Sequence, residues 1–596
     1  MDEAIGPQWT PIPVDAHLLR PIMERAVRDA DRPVVSYRAG DRFLDLTAAE
    51  VYGRVRGLAK GLLASGIRPG DRVAIMSHTR VEWLLVDYAI LAAGGVTVPV
   101  YETSSADQLR WILGDSEAVL AVVETPAMRS TFDTVAAGAP GCREVLVIDE
   151  GGIDELARRG EHQDEATLDA RLDAIRVDDL ATIVYTSGTT GRPKGCALTH
   201  GNLRTNAQQN IDAIRGMLEA DEVLLLFLPL AHTLAKIIAL VAAEWGARTA
   251  FATDLANLHE ELAMVQPTMI TAVPRVFEKV FNTAQHTARL DGHGAMFDKA
   301  TEVAIDWSRN HAEGHHGLLT DAEHATLNLL VYRKVRAAFG GRLRFAFSGG
   351  GPLGERLTHF YNGVGVRVLE GYGLTETSPT LTLNRVGAWK PGTVGQPLAG
   401  TTIRIADDGE ILAKGPQVFL GYWHNDKATA EVFDEDGWFR TGDIGEVDSE
   451  GFLGITGRKK ELIVTAAGKN VAPAPLEDHL RAHPLISQAV VIGDGRPFIS
   501  ALLALDEDAT TEWASEHGLT GVPMPDLTVV PDLVAELQKA VDEANGTVSR
   551  AESIRRFAVL PHDLTIAAGE LTPTLKVRRV TVEGSYAGVI ESLYGD

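Results

Sequence analysis

The chain of 596 residues is too long for a single hydrophobic core, and its length predicts roughly two to four domains. Apolar residues make up 45% of the sequence and the mean hydropathy is −0.01, values typical of a globular enzyme. The net charge of −25 argues against general binding to nucleic acid or to anionic membrane surfaces.

Cysteine usage and the first residues favour a cytoplasmic protein. Two cysteines, Cys142 and Cys196, are too few for a disulfide framework and favour a reducing compartment. The first residues, Met-Asp-Glu-Ala, are acidic and lack the apolar core of a targeting segment. We therefore expect a cytoplasmic location, with peripheral membrane contact and homodimer formation left open.

Strands and helices alternate through the first part of the chain. Helical periodicity covers 47–66 and 82–93, and residues 150–179 are charged and weakly patterned, which we interpret as a surface excursion. Alternating strands and helices predict an α/β architecture with parallel sheets. Short apolar runs predict buried strands at 73–76, 96–100, 119–123, 144–148 and 180–185, and a helix is predicted to begin near Thr199, a good N-cap residue.

The most apolar stretch of the sequence is 223–245. It is interrupted by Pro229, Lys236 and Glu244. A membrane-spanning helix needs about 20 consecutive apolar residues. We therefore interpret this stretch as a buried strand, a loop and a helix.

In the second half of the chain, the pattern of predicted strands and helices changes twice. Further buried strands are predicted at 250–252, 269–272, 343–348 and 366–370, and a polar helical insertion at about 281–330. Turn sequences after about residue 390 predict a small antiparallel β unit at about 390–457. The fold class is therefore α/β, with a large N-terminal domain (1–457) that includes this unit and a smaller α+β C-terminal domain (458–596).

The segment 185–195, Tyr-Thr-Ser-Gly-Thr-Thr-Gly-Arg-Pro-Lys-Gly, is a candidate phosphate-binding loop. Its glycines let backbone N–H groups converge on an anion, its hydroxyls add donors, and its lysine adds positive charge. The alternative is a plain surface loop of this composition. The segment directly follows a predicted buried strand, which disfavours that alternative. The residues expected to hold phosphates are Thr186, Ser187, Gly188, Thr189, Thr190 and Lys194.

Two other phosphate-binding motifs fit this sequence poorly. In a P-loop, a Gly-Lys-Ser/Thr end leads straight into a helix, whereas Lys194 follows Pro193 and precedes Gly195. The run 349–354, Gly-Gly-Gly-Pro-Leu-Gly, contains a proline and has no matching helix start for a dinucleotide loop.

Together with this loop, several later segments resemble the signatures of the adenylate-forming superfamily. That group contains acyl-CoA synthetases, luciferases and the adenylation domains of peptide synthetases. The order and spacing agree over roughly 40–580. The segments are Gly-Tyr-Gly-Leu-Thr-Glu-Thr-Ser-Pro (371–379), Trp-Phe-Arg-Thr-Gly-Asp (438–443), Gly-Arg-Lys-Lys-Glu-Leu-Ile (457–463), Gly-Lys-Asn-Val-Ala-Pro (468–473) and Leu-Thr-Pro-Thr-Leu-Lys (571–576).

Within that superfamily the chain most resembles long-chain fatty acyl-CoA synthetases. Three segments carry this resemblance: Pro-Leu-Ala-His (229–232) before an apolar helix, 273–279 with the insertion after it, and the block 436–473. The resemblance implies that a fatty carboxylate attacks ATP to give acyl-AMP and pyrophosphate. Coenzyme A then takes the acyl group and releases AMP.

The resemblance also implies roles for individual residues. Glu376 is expected to bind Mg²⁺ with Thr186 nearby, since hard cations prefer oxygen ligands. Thr375 is expected at the α-phosphate, Asp443 and Arg458 at the ribose, and Lys576 between the carboxylate and the α-phosphate. Tyr372 is expected to stack on adenine, with Gly349, Gly350 and Gly351 as the other wall. The neighbouring Glu370, Gly371 and Gly373 are further candidate cofactor-binding residues.

Relatives rotate the C-terminal domain between the two half-reactions. The resemblance puts the hinge near Lys460 and the coenzyme A approach at Gly468 and Lys469. His232 is a candidate gate for the acyl chain, with a loop-capping role as the alternative. At Leu575 many relatives have glycine beside the lysine, so the backbone of this loop is the point where the chain departs from the pattern.

Other interpretations stay open at this stage. A fatty acyl-AMP ligase would hand its adenylate to a carrier protein, although the sequence lacks an obvious insertion between Thr441 and Lys469. Shorter or aromatic acids are alternative substrates, and a catalytically silent binding protein on the same fold is the alternative from another class. His311, His315 and His316 lack a framework of carboxylates or cysteines, so we expect no metal site there.

Overall fold

Short apolar strands build the first sheet, and most are buried on both faces. The computed structural model describes residues 2–186, 192–315, 317–466, 468–572 and 575–595. Strands buried on both faces are typical of parallel sheets covered by helices. The first elements are β1 (Glu3–Ile5), α1 (Arg20–Arg28), β2 (Pro33–Ala39), β3 (Arg42–Thr47), α2 (Ala48–Ala64), β4 (Arg72–Met76), α3 (Val81–Ala92), β5 (Val96–Val100), α4 (Ala106–Ser116), β6 (Leu120–Val123), α5 (Pro126–Val135), β7 (Glu144–Val147), α6 (Gly152–Gly160), α7 (Glu165–Ala174), β8 (Leu180–Thr186) and β9 (Lys194–Thr199).

This first sheet has the order β9-β8-β5-β4-β6-β7, with the short strand Gly421–Tyr422 added beside β9. The strands from β8 to β7 run parallel, whereas β9 pairs antiparallel with β8. The candidate phosphate loop is therefore the connection of a hairpin at the edge of a parallel sheet. The predicted helix does begin after Thr199, whose side chain caps it, but the sequence analysis missed β9 between loop and helix.

A second sheet follows in the chain and packs into the same core. Its order is β16-β15-β14-β13-β12-β10-β11-β2-β3, parallel from β14 to β2 with antiparallel strands at both edges. Its further elements are α8 (His200–Ile214), β10 (Val223–Leu226), α9 (Thr233–Trp245), β11 (Arg248–Phe251), α10 (Leu258–Val265), β12 (Met269–Ala272), α11 (Pro274–Leu290), α12 (Gly294–Ala312), α13 (Leu318–Leu327), α14 (Arg333–Ala337), β13 (Phe345–Ser348), α15 (Glu355–Gly363), β14 (Arg367–Gly373), β15 (Thr380–Leu383) and β16 (Gln396–Pro397).

Helix α9 carries a charged residue into the core of this N-terminal region. Lys236 is buried, and its ammonium lies 2.8 Å from the Asp87 carboxylate on α3. Buried charges persist when they are paired. None of the described helices is both long and apolar enough to cross a membrane.

A small antiparallel sheet comes next. Its order is β1-β17-β18-β20-β21, so the N-terminal strand joins a unit formed mostly by residues four hundred positions later. Its later strands are β17 (Thr402–Ile405), β18 (Glu410–Lys414), β20 (Phe439–Val447) and β21 (Leu453–Arg458). Between β18 and β20 the chain forms β19 (Gly421–Tyr422), which belongs to the first sheet, and α16 (Asp426–Val432).

The C-terminal region has its own sheet and its own hydrophobic clusters. Strand β24 pairs antiparallel with β25, and β26 lies parallel to β25. Helices α17 and α20 bury apolar residues on this sheet. The elements are β22 (Ile463–Val464), β23 (Asn470–Val471), α17 (Pro473–Arg481), β24 (Ile486–Ile492), β25 (Ile499–Leu505), α18 (Glu507–Glu516), α19 (Met524–Leu527), α20 (Pro531–Asn545), β26 (Ile554–Val559), α21 (Arg579–Ser585) and α22 (Ala587–Tyr594).

The structure therefore has the predicted class: a large N-terminal part of packed α/β sheets, a small β unit and a smaller α+β C-terminal part. One interpretation was wrong. Residues 150–179 are not a surface excursion, because they form α6 and α7, and Leu156, Leu168 and Leu172 enter the large core. Apolar residues spaced by three or four positions carried that signal, and the surrounding charges obscured it.

Candidate active site

The two ends of the phosphate loop lie opposite each other on neighbouring strands. Thr186 ends β8 and pairs in register with Lys194, which begins β9. The Lys194 ammonium lies 4.7 Å from the centre of the Tyr422 ring, a cation–π arrangement. The indole N–H of Trp111 donates to the Pro193 carbonyl at 2.8 Å. These contacts fix the ends of the loop, while Ser187, Gly188, Thr189 and Thr190 lie outside the described residues.

The segment 371–379, one of those that resemble the superfamily signatures, begins in β14 and continues past its end. A Cβ added to Gly373 would lie 1.6 Å from the Pro379 carbonyl oxygen, so only glycine fits this tight turn. A short 3₁₀ turn then presents Thr375 and Glu376. The Thr375 hydroxyl accepts a hydrogen bond from Thr233 at 3.2 Å, and the Glu376 carboxylate accepts one from Tyr422 at 2.8 Å.

Thr186 and Glu376 both border the buried Cys196. The Thr186 hydroxyl lies 4.0 Å from the Cys196 sulfur. Burial raises the pKa of the Cys196 thiol well above its usual value, and the nearby Glu376 carboxylate raises it further. The hydroxyl and the carboxylate are hard oxygen donors of the kind that Mg²⁺ prefers. Since the described residues contain no group of three or more His, Cys, Asp or Glu that could hold a metal, these two donors would need oxygens from substrate or water.

Three residues from distant segments form a hydrogen-bonded group in the predicted nucleoside part of the site. The Tyr372 hydroxyl donates to one Asp443 oxygen at 2.7 Å, and the Arg458 guanidinium donates to the other at 2.8 Å. Asp443 on β20 and Arg458 on β21 lie opposite each other in register. Burial raises the pKa of Tyr372, and the Asp443 carboxylate raises it further, so the phenol stays a donor.

The glycine loop after β13 is held by the side chain of Glu370, a residue predicted to bind the cofactor. The buried Glu370 carboxylate accepts from the Leu353 N–H at 3.0 Å and from the Thr358 hydroxyl at 2.9 Å. Its side chain therefore supports the loop that contains Gly349, Gly350 and Gly351. This role could not be predicted from local sequence, because a buried carboxylate needs hydrogen-bond donors and its donors here come from residues more than ten positions away.

Lys576 extends from the C-terminal region into the space beside Gly350, which we call the cleft. A Cβ added to Gly350, which has φ +85°, would lie 3.5 Å from the Lys576 Cε and 3.9 Å from its ammonium. The cleft leaves the lysine accessible to solvent although protein surrounds it on several sides. Burial lowers the pKa of Lys576, the Arg458 guanidinium lowers it further, and Asp443 opposes both. The lysine therefore lies within electrostatic reach of the Asp443–Arg458 pair.

His232 acts as a helix cap in this structure. Its Nδ1 accepts a hydrogen bond from the Leu234 N–H at 3.1 Å at the start of α9. Burial lowers the pKa of His232 to about 3, and the charge of Lys576 lowers it further. The imidazole is therefore neutral, as an acceptor at a helix start must be, and of its two suggested roles the geometry favours the capping one.

The remaining predicted residues lie after β21. Lys460 is exposed in the short turn Lys459–Glu461, whereas its neighbour Lys459 pairs with Asp408 at 2.6 Å and with Glu410 at 2.9 Å. Gly468 has φ +76° between β22 and β23, and Lys469 pairs with Glu552 at 3.4 Å. Lys459 thus holds the start of the C-terminal region to the small β unit.

Sequence reasoning missed Tyr422, Thr233 and Trp111. Tyr422 and Thr233 contact predicted site residues, and Trp111 contacts Pro193 of the predicted loop. Each lies at least 40 positions away from its partner in sequence. Spacing rules detect local motifs, so no local signal marked these three. Their contacts orient Glu376 and Thr375 and hold the end of the phosphate loop at Pro193.

Two family models together match most of the chain. The model described as AMP-binding enzyme matches residues 22–423, and the model described as AMP-binding enzyme C-terminal domain matches residues 460–596. The chain belongs to the AMP-binding enzyme family.

Named relatives within the AMP-binding enzymes are similar over nearly their whole length. Long-chain-fatty-acid–CoA ligase FadD15 of Mycobacterium tuberculosis is 50% identical over 584 residues, which cover 96% of each chain. Long-chain-fatty-acid–CoA ligase ACSBG1 of Homo sapiens is 31% identical, over 99% of this chain and 86% of its own. The crystal structure of ATP-bound MatB from Rhodopseudomonas palustris is 25% identical with a TM-score of 0.70, over 96% of this chain and 99% of that one.

Proposed function

We propose that this AMP-binding enzyme activates a long-chain fatty acid with ATP and transfers it to coenzyme A. The observation that carries the proposal is the position of Lys576, whose side chain lies beside Gly350 and within electrostatic reach of the Asp443–Arg458 pair. Long-chain-fatty-acid–CoA ligases at 50% and 31% identity support the acid and the acceptor.

In the first half-reaction, a carboxylate oxygen attacks the α-phosphorus of ATP and pyrophosphate leaves. Both reactants are anions, so preorganised positive charge lowers the barrier most effectively. In this proposal Lys194 and the loop around it hold the departing β- and γ-phosphates. Lys576 stabilises the charge that develops between the carboxylate and the α-phosphate, and Thr375 donates to the α-phosphate.

The nucleoside end orients the substrate. The Asp443 carboxylate can accept from paired ribose hydroxyls, which suits the geometry of a carboxylate. Tyr372 and the loop Gly349–Gly351 form the walls proposed for adenine. Glu370 acts indirectly in this proposal, since its carboxylate supports the glycine loop.

Thr186 and Glu376 are the proposed magnesium ligands. Mg²⁺ usually keeps several waters and binds through one or two protein oxygens together with substrate phosphates. Such an ion would neutralise phosphate charge during attack. The hydrogen bond from Tyr422 fixes the Glu376 carboxylate that would face it.

In the second half-reaction, the coenzyme A sulfur attacks the acyl carbon and AMP leaves. We propose that the C-terminal domain (458–596) rotates on the N-terminal domain (1–457) between the two steps, with the hinge near Lys460. The exposure of Lys460 beside the anchored Lys459 supports this boundary. Gly468 and Lys469 are proposed to line the coenzyme A approach after rotation. A cytoplasmic location is also proposed, supported by the free Cys142 and Cys196.

The function is tested with labelled ATP, palmitate and coenzyme A. We expect release of AMP, pyrophosphate and a palmitoyl thioester. Accumulation of acyl-AMP without thioester would favour a ligase that serves a carrier protein. Pyrophosphate release only with short or aromatic acids would contradict the long-chain assignment, and no release with any acid would revive a non-enzymatic binding role.

A further inference from the structure

Leu575, the residue before Lys576, has an unusual backbone conformation. Its φ is +60°, in the left-handed region that glycine adopts easily and that bulky residues rarely adopt. The conformation belongs to a tight hairpin in which Leu571 and Val577 form a bridge. Within it, Leu575 N–H donates to the Thr572 carbonyl at 2.8 Å, and Thr572 N–H donates to the Lys576 carbonyl at 2.8 Å.

The backbone of this hairpin favours glycine at position 575, so a leucine there needs a compensating contact. Its side chain provides one, because it is partly buried and packs against two separate hydrophobic clusters. One is the C-terminal cluster that contains Leu560, Leu564 and Leu571. The other is the large core of the N-terminal sheets. Of the apolar side chains described after residue 458, Leu575 is the one that joins both clusters.

The neighbouring residue makes the contact relevant to chemistry. Lys576 extends from the same hairpin past Gly350 into the cleft. A third hydrogen bond, from the Lys576 N–H to the Thr572 side-chain hydroxyl at 3.0 Å, ties the lysine backbone to the hairpin. Whatever anchors the Leu575 side chain on the N-terminal core therefore also sets the direction of Lys576.

We propose that Leu575 is a positioning residue for the adenylation half-reaction, an inference that rests on the function proposed above. Its side chain docks the lysine hairpin on the N-terminal core and so delivers Lys576 to the site. It has no part in the thioester half-reaction, because that step would use the other orientation of the C-terminal domain. Leucine is kept at a glycine-type position because docking requires a side chain.

The test uses three variants of the full-length chain. Leu575→Gly removes the side chain and relieves the backbone, Leu575→Ala removes the side chain alone, and Leu575→Met restores apolar bulk. Adenylation is measured as pyrophosphate release, and the second half-reaction as thioester formation from supplied acyl-AMP. Thermal unfolding is recorded for each protein. Val589→Ala is the matched control, since Val589 packs against the C-terminal cluster but not against the large core.

We expect Leu575→Gly and Leu575→Ala to lower the adenylation kcat by about tenfold, because less of the docked state is populated. The KM for ATP and the thioester rate should change by less than about twofold, and Leu575→Met should recover most of the lost rate. Leu575→Gly should be slow although its unfolding temperature is at least that of Leu575→Ala. Val589→Ala should leave both half-reactions at the rates of the unaltered chain.

Two results would overturn the inference. One is adenylation at the unaltered rate in the glycine and alanine variants. The other is an equal loss in both half-reactions with a lowered unfolding temperature, which would make Leu575 a purely structural residue. A failure of the proposed function looks different, because the unaltered chain would then release no pyrophosphate.

Discussion

The two lysines of the site differ in how they are held. Lys194 is part of β9, pairs with Thr186 in the adjacent strand and lies over the Tyr422 ring, and both of these contacts are within the N-terminal region. Lys576 lies on a hairpin of the C-terminal region and meets the site only through contacts between the two regions. One lysine is preorganised by the fold, and the other depends on docking.

Among the described residues, several weak side-chain contacts join the two regions, in addition to the pairs that Lys459 makes with Asp408 and Glu410. Arg275 on α11 donates to Asp506 at 3.1 Å, His286 on the same helix contacts Glu512, and Leu575 adds an apolar contact. Partly exposed ion pairs contribute about 0–1 kcal/mol each. An interface of this kind can be released easily, as an enzyme with two half-reactions requires. The comparison therefore teaches that the N-terminal fold alone holds the phosphate end of the site, whereas the lysine end depends on contacts between the two regions.

The preorganised side can be disturbed through Tyr422. In Tyr422→Phe the ring under Lys194 stays, while the hydrogen bond to Glu376 is lost. A hydrogen bond to a carboxylate contributes about 1.5–3 kcal/mol, so we expect adenylation to fall about tenfold. Pyrophosphate release at varied Mg²⁺ concentrations measures the effect.

The matched control for that variant is Tyr52→Phe, which removes a phenol that accepts from Arg56 on α2, away from the cleft. It should leave adenylation unchanged. If Tyr422→Phe were as active as the control, Glu376 would not depend on Tyr422 for its orientation.

The docked side can be loosened through Arg275. In Arg275→Gln the ion pair to Asp506 is lost, while Asp506 continues to cap α18 through its other oxygen. Because the pair is weak, we expect adenylation to slow by about threefold at most, with no change in thioester formation from supplied acyl-AMP. The effect should shrink as salt is added, because salt screens ion pairs near the surface.

Arg309→Gln is the control for this variant, since Arg309 pairs with Glu355 inside the N-terminal region at 3.2 Å. It should change neither half-reaction. A slowing of both steps by Arg275→Gln would mean that the pair stabilises the fold instead of the docked orientation.

The features of the fold and of the site that the sequence predicts are those that depend on neighbouring residues. Buried strands such as β4, β6 and β12 are short apolar runs, and Thr199 caps its helix as a local pattern predicts. The phosphate loop and Glu376 lie in contiguous motifs. Such features depend on neighbouring residues alone, so one sequence carries enough information.

The parts that the sequence does not predict are long-range. The pairing of β19 with β9 brings Tyr422 into hydrogen-bonding distance of Glu376. The burial of Lys236 depends on its ion pair with Asp87 on another helix. The departure from glycine at Leu575 was visible in the sequence. Its meaning was not, because the left-handed backbone and the two cores meet only in the folded chain.

The most direct test of a lysine that depends on docking is to measure both half-reactions in Lys576→Ala. We predict that pyrophosphate release falls on the order of 100-fold or more, because charge stabilisation in the transition state is lost. Thioester formation from supplied acyl-AMP should stay within about twofold of the unaltered chain, because the proposed rotation would remove Lys576 from the site before that step. An equal loss in both half-reactions would contradict the account.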